Sequence, residues 1–317
     1  MEPTIATSDL TCRYGRTEAV RGLTLTVEPG TIFALLGPNG AGKTSTVRML
    51  MNILRPSGGR ATVLGVDCRR LGVGELATIG YVSENQKLPT WMTVDELLAF
   101  CRPLYPTWDE SLCRKLLSDF DLQGSAKIRS LSRGMRVKAA LVSSLAYRPR
   151  LLVLDEPFTG LDPVVRDDLV HGVLELAGQE QWTVFVSSHD LDEVERLVDT
   201  VAFIDAGRLV LSESFVALQA RFRRIEVTTP DDDVRLKPDA TGGGPTTMAG
   251  GPAAGVETWI GVEQAGRVVR FVDTRYVEGE TERRATELFS ALRVEAHPMT
   301  LREIFVAIAR DRRGASR

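Results

Sequence analysis

One segment constrains the fold of this chain more than any other. Residues 31–37, TIFALLG, form an unbroken apolar run that leads straight into GPNGAGKTSTVRMLMNIL. A strand with no polar alternation belongs in a sheet covered on both faces. Beyond the glycines, Val47, Leu50, Met51 and Leu54 recur at helical spacing, and Pro56, Gly58 and Gly59 stop the run. The order is strand, glycine loop, helix, which predicts an α/β architecture.

The loop Gly37-Pro38-Asn39-Gly40-Ala41-Gly42-Lys43-Thr44 fits G-x-x-x-x-G-K-[ST] in full. Glycines let backbone N–H groups curl around phosphate oxygens, and the following helix adds the positive end of its dipole. Lys43 would reach the β- and γ-phosphates of a nucleotide, and the Thr44 hydroxyl would ligate magnesium. A plain glycine turn followed by lysine is the competing reading. The strand–loop–helix setting favours phosphate binding.

A second segment asks for the same ligand. LLVLDEPFTGLDP, residues 151–163, begins as a buried strand and ends in two adjacent carboxylates. Asp155 can hold magnesium directly or through water. Glu156 can orient or deprotonate an attacking water. Just upstream, LSRGMRVKAALVSSLAYRP (131–149) places Ser132 and Gly134 at the start of a helix with Val137, Ala140, Leu141, Ser144 and Leu145 on one face. A serine and a glycine at a helix start can make a second anion-binding turn, although a plain N-cap has the same pattern. A helical segment separates this turn from the first, so two chains sandwiching one nucleotide satisfy both.

Composition removes other classes. The chain has 317 residues, 43% hydrophobic and 26% charged, enough for one large or two moderate domains with real cores. A net charge of -3 gives no bulk electrostatic reason to bind nucleic acid. Cys12, Cys68, Cys101 and Cys113 show no CxxC pairing and read as reduced thiols. The start, MEPTIATSDL, lacks a basic and an apolar region, so no signal peptide is expected. No run of about 18 apolar residues predicts a membrane span, so work at a membrane would need another chain.

Taken in order, the motifs resemble those of the ATP-binding subunits of ABC transporters, in the exporter-type branch. They are GPNGAGKT as Walker A, IGYVSE as the Q-loop strand, LSRGM as the signature, LLVLDE as Walker B, TGLD as the D-loop and SSHDLDEVE around the switch histidine. The resemblance implies a P-loop NTPase cassette over 1–220, with a helical subdomain at about 84–150 and an accessory α+β domain over 221–317. It implies magnesium-dependent ATP hydrolysis. Gly37, Asn39, Gly40, Gly42, Lys43, Thr44 and Ser45 would bind phosphate, and Thr44 and Asp155 would serve magnesium. Glu156 would be the catalytic base, and His189 would contact the γ-phosphate. Tyr14, in CRYGRTEAV, matches the aromatic that stacks on adenine. Ser132 and Gly134 would act on the nucleotide of a facing subunit, with Asp162 in the D-loop. The implied partners are an integral-membrane permease and a second ATP-binding subunit, identical or different, at the cytoplasmic face of the membrane. Nucleic acid is not among them.

The sequence departs from the family pattern in two places. The signature reads LSRGM against the common LSGGQ, so Arg133 replaces a glycine and Met135 a glutamine. The Q-loop position carries Glu84 instead of glutamine, with Gln86 two residues on. Either Glu84 or Gln86 could sense the γ-phosphate, and Glu84 adds negative charge beside Asp155 and Glu156.

The remaining segments are less specific. Thr93–Glu96 and the run after TWDE (107–110) read as helix starts, and Leu112, Leu116, Leu117 and Phe120 as a packed stripe. Residues 88–92, with Pro89 and Trp91, would lie near the permease contact. Residues 200–212 read as a hairpin turning at Ala206-Gly207, and 257–272 as another turning at Ala265-Gly266. The stretch 230–255 is rich in Gly, Pro, Thr and Asp and reads as a flexible insertion. A helix is expected at about 281–292, and a last one opens with a capping box, Thr300 to Glu303. A single P-loop argues against a two-cassette translation ATPase. The lack of heptads argues against a chromosome-structure ATPase. The signature and SSHD argue against a small-molecule kinase.

Overall fold

The computed structural model describes residues 2–84, 86–180, 182–230 and 258–315. The expected flexible insertion lies, apart from Pro230, outside the described residues. The chain divides into two compact units, Met1–Glu213 and Ser214–Arg317. The division falls just ahead of a helix whose N-cap is Ser214, with its hydroxyl accepting from Ala217 N at 3.2 Å.

The first unit opens with strands β1 (Ile5–Tyr14), β2 (Thr17–Val27) and β3 (Ile32–Leu36), then helix α1 (Lys43–Leu50). Strands β4 (Gly58–Val63) and β5 (Val66–Asp67), helix α2 (Val73–Leu76) and strand β6 (Ile79–Ser83) follow. Helices α3 (Val94–Cys101), α4 (Glu110–Asp119) and α5 (Arg133–Leu145) make the helical segment. Strand β7 (Leu151–Asp155), helix α6 (Pro163–Glu180), strand β8 (Thr183–Ser188), helix α7 (Leu191–Val194) and strands β9 (Thr200–Asp205) and β10 (Arg208–Ser214) complete it.

These strands build two sheets. One is antiparallel, in the order β2-β1-β4-β5; the other has six strands, in the order β10-β9-β3-β8-β7-β6. In the second, β6, β7, β8, β3 and β9 pair in parallel. Every residue of β3, β7 and β8 is buried, which suits their apolar centres; the polar residues stand at the ends of β7 and β8. Helix α1 packs between the sheets, with Val47, Met49 and Leu50 in one core with Leu10, Val20, Leu35 and Phe185. The glycine loop is thus held at the carboxyl end of β3, beside the carboxyl ends of β8 and β7. In parallel α/β sheets this edge is where ligands bind.

The helical segment follows its local signals. Thr93 Oγ1 accepts from Glu96 N at 3.1 Å while Glu96 Oε2 accepts from Thr93 N at 2.7 Å, a full capping box for α3. Asp109 caps α4, accepting from Ser111 N and Leu112 N. Leu112, Leu116 and Phe120 are buried.

The second unit contains helix α8 (Phe215–Arg221), strands β11 (Arg223–Thr228), β12 (Trp259–Ala265) and β13 (Val268–Asp273), helix α9 (Glu280–Phe289), strand β14 (Arg293–Pro298) and helix α10 (Leu301–Ala315). The sheet order is β12-β13-β11-β14. Ile225, Val227, Trp259, Val269, Phe271 and Phe289 form its core, with Trp259 stacked on Phe271 at 4.1 Å. Thr300 and Glu303 make the expected capping box of α10.

A candidate nucleotide site at the carboxyl edge of the parallel sheet

A cleft of about 540 Å³ opens above α1, lined by Asn39, Gly40, Gly42, Lys43, Thr44, Ser45, Glu84, Glu156 and His189, among others. Its floor is the glycine loop. Gly42 has φ +108°, and a Cβ added there would lie 2.4 Å from the Ala19 carbonyl oxygen. A Cβ on Gly37 would lie 2.2 Å from the Ile204 carbonyl oxygen. Strands β2 and β9 therefore crowd the loop from either side, and only glycine fits at these two positions. Helix α1 begins at Lys43 with no side chain capping it. Its first backbone N–H groups remain available to an anion.

Lys43 is 4% exposed. Its ammonium donates to the Gly37 and Pro38 carbonyls at 2.7 and 3.1 Å and pairs with Glu156 Oε1 at 3.0 Å. The other oxygen of Glu156 accepts from His189 N at 3.3 Å and from the Thr159 hydroxyl at 3.2 Å, and lies 2.6 Å from His189 Nδ1. Glu156 reaches these partners from a left-handed backbone, φ +54°. Such a conformation costs about 1–3 kcal/mol in a residue with a Cβ, and it persists where surrounding structure fixes it. Here its N–H donates to the Ser187 carbonyl and hydroxyl at 3.1 and 3.2 Å.

Asp155 is held differently. Its Oδ1 accepts from Ser187 Oγ at 2.6 Å and from Thr44 Oγ1 at 3.3 Å. Burial raises its carboxyl pKa above the ordinary range, and the two hydroxyl hydrogen bonds only partly offset this. Burial also acts on Glu156, but the His189 hydrogen bond and the Lys43 charge outweigh it and leave that carboxyl below its ordinary range. Adjacent residues on one strand end are thus tuned in opposite directions.

The structure therefore brings together Gly37, Asn39, Gly40, Gly42, Lys43, Thr44, Ser45, Asp155, Glu156 and His189. Tyr14, at the end of β1, joins them at the rim: the residue is 48% exposed and its Oη lies 3.5 Å from Ser45 Oγ. Glu84 lines the cleft and pairs with Arg133 at 3.0 Å. Gln86 accepts from Ser83 N at 3.3 Å. Ser132 and Gly134 do not line the cleft. Ser132 caps α5 by accepting from Met135 N at 3.2 Å, and a Cβ on Gly134 would lie 2.6 Å from Val165 Cγ1.

Ser187 is the residue that sequence reasoning overlooked. It ends the apolar run TVFVSS, and the parallel register sets it directly beside Asp155. A hydroxyl closing a buried strand next to an acidic strand end was the available signal.

A phosphate-binding glycine loop and acidic strand end on this sheet define the class: a P-loop NTPase of the ATP-binding cassette type. The ABC transporter family model matches residues 20–159. The bacitracin transport ATP-binding protein of Bacillus licheniformis is 33% identical over 226 residues, 71% of this chain and 74% of that protein. The daunorubicin/doxorubicin resistance ATP-binding protein of Streptomyces peucetius is 39% identical over 222 residues, 65% of this chain and 64% of that protein. A solved ATP-binding subunit of an ABC transporter superposes with a TM-score of 0.62 at 25% identity, covering 68% of this chain and 92% of that one. The chain belongs to the ATP-binding subunits of ABC transporters, which hydrolyse ATP, dimerise and work with membrane permease components. Among the described residues, no helix is long and apolar enough to cross a membrane.

Proposed function

We propose that this subunit powers export through a separate permease at the cytoplasmic face of the membrane. In this reading two copies, or this chain and a related one, close head to tail around ATP. The reading rests on one observation above all. Lys43, Glu156 and His189, drawn from three separate segments, line one cleft at the head of α1, and the buried Asp155 meets it through the Thr44 hydroxyl.

The roles follow from the geometry. The N–H groups of the loop and of α1 bind phosphate oxygens, and Lys43 neutralises them. Thr44 and Asp155 share a hydrogen bond. A hydroxyl and one carboxylate suit a hard cation that keeps waters and phosphate oxygens as its other ligands. Among the described residues no larger group of His, Cys, Asp and Glu side chains could form a metal cage. Magnesium bound by Thr44 and Asp155 would neutralise charge developing on the phosphates. Glu156 accepts the proton of the attacking water, oriented by His189 and Thr159. Tyr14 offers its exposed ring to adenine. Ser132 and Gly134, away from this cleft, serve the nucleotide of the facing subunit, and Asp162 lies in the loop that meets that subunit.

Export is favoured by the relatives, whose names concern bacitracin transport and drug resistance. In this reading the permease contact lies at the turn just ahead of α3, where Trp91 is 73% exposed and would suit an apolar groove of the partner. Phosphate release by the chain with its permease tests the catalytic assignment. Glu156→Gln keeps the shape and removes the base, so turnover should fall by about 10²-fold or more while ATP still binds. Turnover at the wild-type rate would refute the role of Glu156.

A further inference from the structure

The two places where this chain departs from its family's common motifs touch each other. Glu84 stands where glutamine is common, and Arg133 stands where glycine is common. Arg133 Nη2 donates to Glu84 Oε1 at 3.0 Å. The same guanidinium lies over Gly160, where an added Cβ would sit 2.9 Å from Arg133 Nη1. Gly160, at φ +70°, carries no Cβ, and the guanidinium occupies the space a side chain would take. Glu84 is anchored in turn, because its N–H donates to the Asp155 carbonyl at 2.9 Å.

Charge gives this contact a purpose. Glu84 lines the nucleotide cleft, and so does Glu156. Lys43 is already paired with Glu156 at 3.0 Å. An uncompensated carboxylate at the rim would repel an incoming polyphosphate. We propose that Arg133 is a positioning residue for nucleotide binding. It neutralises Glu84, draws that carboxylate toward the signature turn, and so lets an acidic Q-loop admit ATP. Because Arg133 follows Ser132, the pair also ties the signature turn of each chain to that chain's own cleft. The two departures are then one compensated feature, and this rests on the reading of the cleft as the nucleotide site.

A double-mutant cycle on the full chain tests it. Calorimetric titration with ATP in chelator, and with ATP and magnesium, is run on wild type, Arg133→Gly, Glu84→Gln and the double variant. Arg133→Gly should weaken magnesium-free ATP binding by about threefold, the scale of a partly exposed ion pair. In the Glu84→Gln background the same change should have no effect. Added magnesium should shrink the loss, and Arg133→Lys should retain affinity. Arg133→Gln, which suits a helix start, replaces Arg133→Gly should the glycine variant unfold. Equal losses in both backgrounds would show that Arg133 only supports the loop at Gly160, and would overturn the proposal. Failure of the wild type to bind ATP would instead remove the reading of the cleft.

Discussion

Lys43 Nζ stands 3.0 Å from Glu156 Oε1, with the two side chains 4% and 11% exposed. The loop lysine and the strand-end acid thus form one nearly buried pair. A γ-phosphate competes with Glu156 for the same ammonium. Nucleotide entry therefore takes from Glu156 a charge that holds its pKa down, and leaves burial and His189 to set it. The base gains proton affinity when its substrate arrives.

Lys43→Met exposes this pairing through pH. The Glu156 carboxyl lies below its ordinary value of 4.5 in the folded protein, after burial is outweighed by His189 and Lys43. A lowered acid contributes stability that is present above its unfolded pKa and lost as pH falls through the folded value. Removing Lys43 deletes one lowering cause and keeps burial. The melting-temperature gap between wild type and Lys43→Met should be widest above the ordinary carboxyl range and close as pH falls through the lowered Glu156 value. Asp155 has the opposite sign but is common to both proteins. A gap that does not vary with pH would show that the contact is not ionic.

Tyr14→Ala should weaken ATP binding several-fold, while Tyr14→Trp should not, because an aromatic face is worth about 1 kcal/mol beyond burial. Tyr14 is 48% exposed, so loss of its ring should leave the melting temperature of the nucleotide-free protein nearly unchanged. Melts with and without ATP check both points. A large drop without ATP would make Tyr14 a packing residue.

Ser187→Ala tests a residue that touches neither water nor the cleft. Its hydroxyl donates to Asp155 and accepts from Glu156 N, and it is fully buried. Losing it removes a hydrogen bond to a buried carboxylate, worth about 1.5–3 kcal/mol, although Asp155 keeps the Thr44 hydroxyl and Glu156 N keeps the Ser187 carbonyl. It should also push the Asp155 carboxyl further up, since that hydrogen bond is one of the influences lowering it. More magnesium should then be needed for half-maximal hydrolysis, with a defect that grows as pH falls, because a raised carboxyl protonates sooner. A stability loss with an unchanged magnesium requirement would confine Ser187 to packing.

What the sequence reveals depends on how local the signal is. Strands β3, β7 and β8 are plain because burial on both faces leaves them apolar except at the ends of β7 and β8, where Asp155, Thr183, Ser187 and Ser188 stand. The caps at Thr93 and Thr300 are plain because each device spans four residues. Strand β1 is obscure because its register shifts past Thr7, Leu10 and Cys12, and Asp9 adopts φ +49°, which breaks the alternation. In the site, the glycine loop and acidic strand end are contiguous and readable. The Ser187–Asp155 and Arg133–Glu84 contacts join residues 32 and 49 positions apart, and only sheet register and helix placement bring them together.

The shared-site arrangement makes the strongest demand on function. Ser132 caps α5 and does not line the cleft that holds Lys43. If each nucleotide lies between the cleft of one chain and the signature turn of the other, lesions in the two motifs should complement. Lys43→Ala and Ser132→Arg should each abolish hydrolysis when every chain in the dimer carries the change. In a mixed dimer of the two variants, one composite site carries both lesions and the other carries neither. Part of the activity should therefore return on mixing. ATP should also favour the closed dimer over the separated chains, because only closure buries the nucleotide on both sides. In a Glu156→Gln background, light scattering with ATP should show a dimer that disperses when ATP is removed. A monomer under those conditions, even with the permease present, would overturn the shared site.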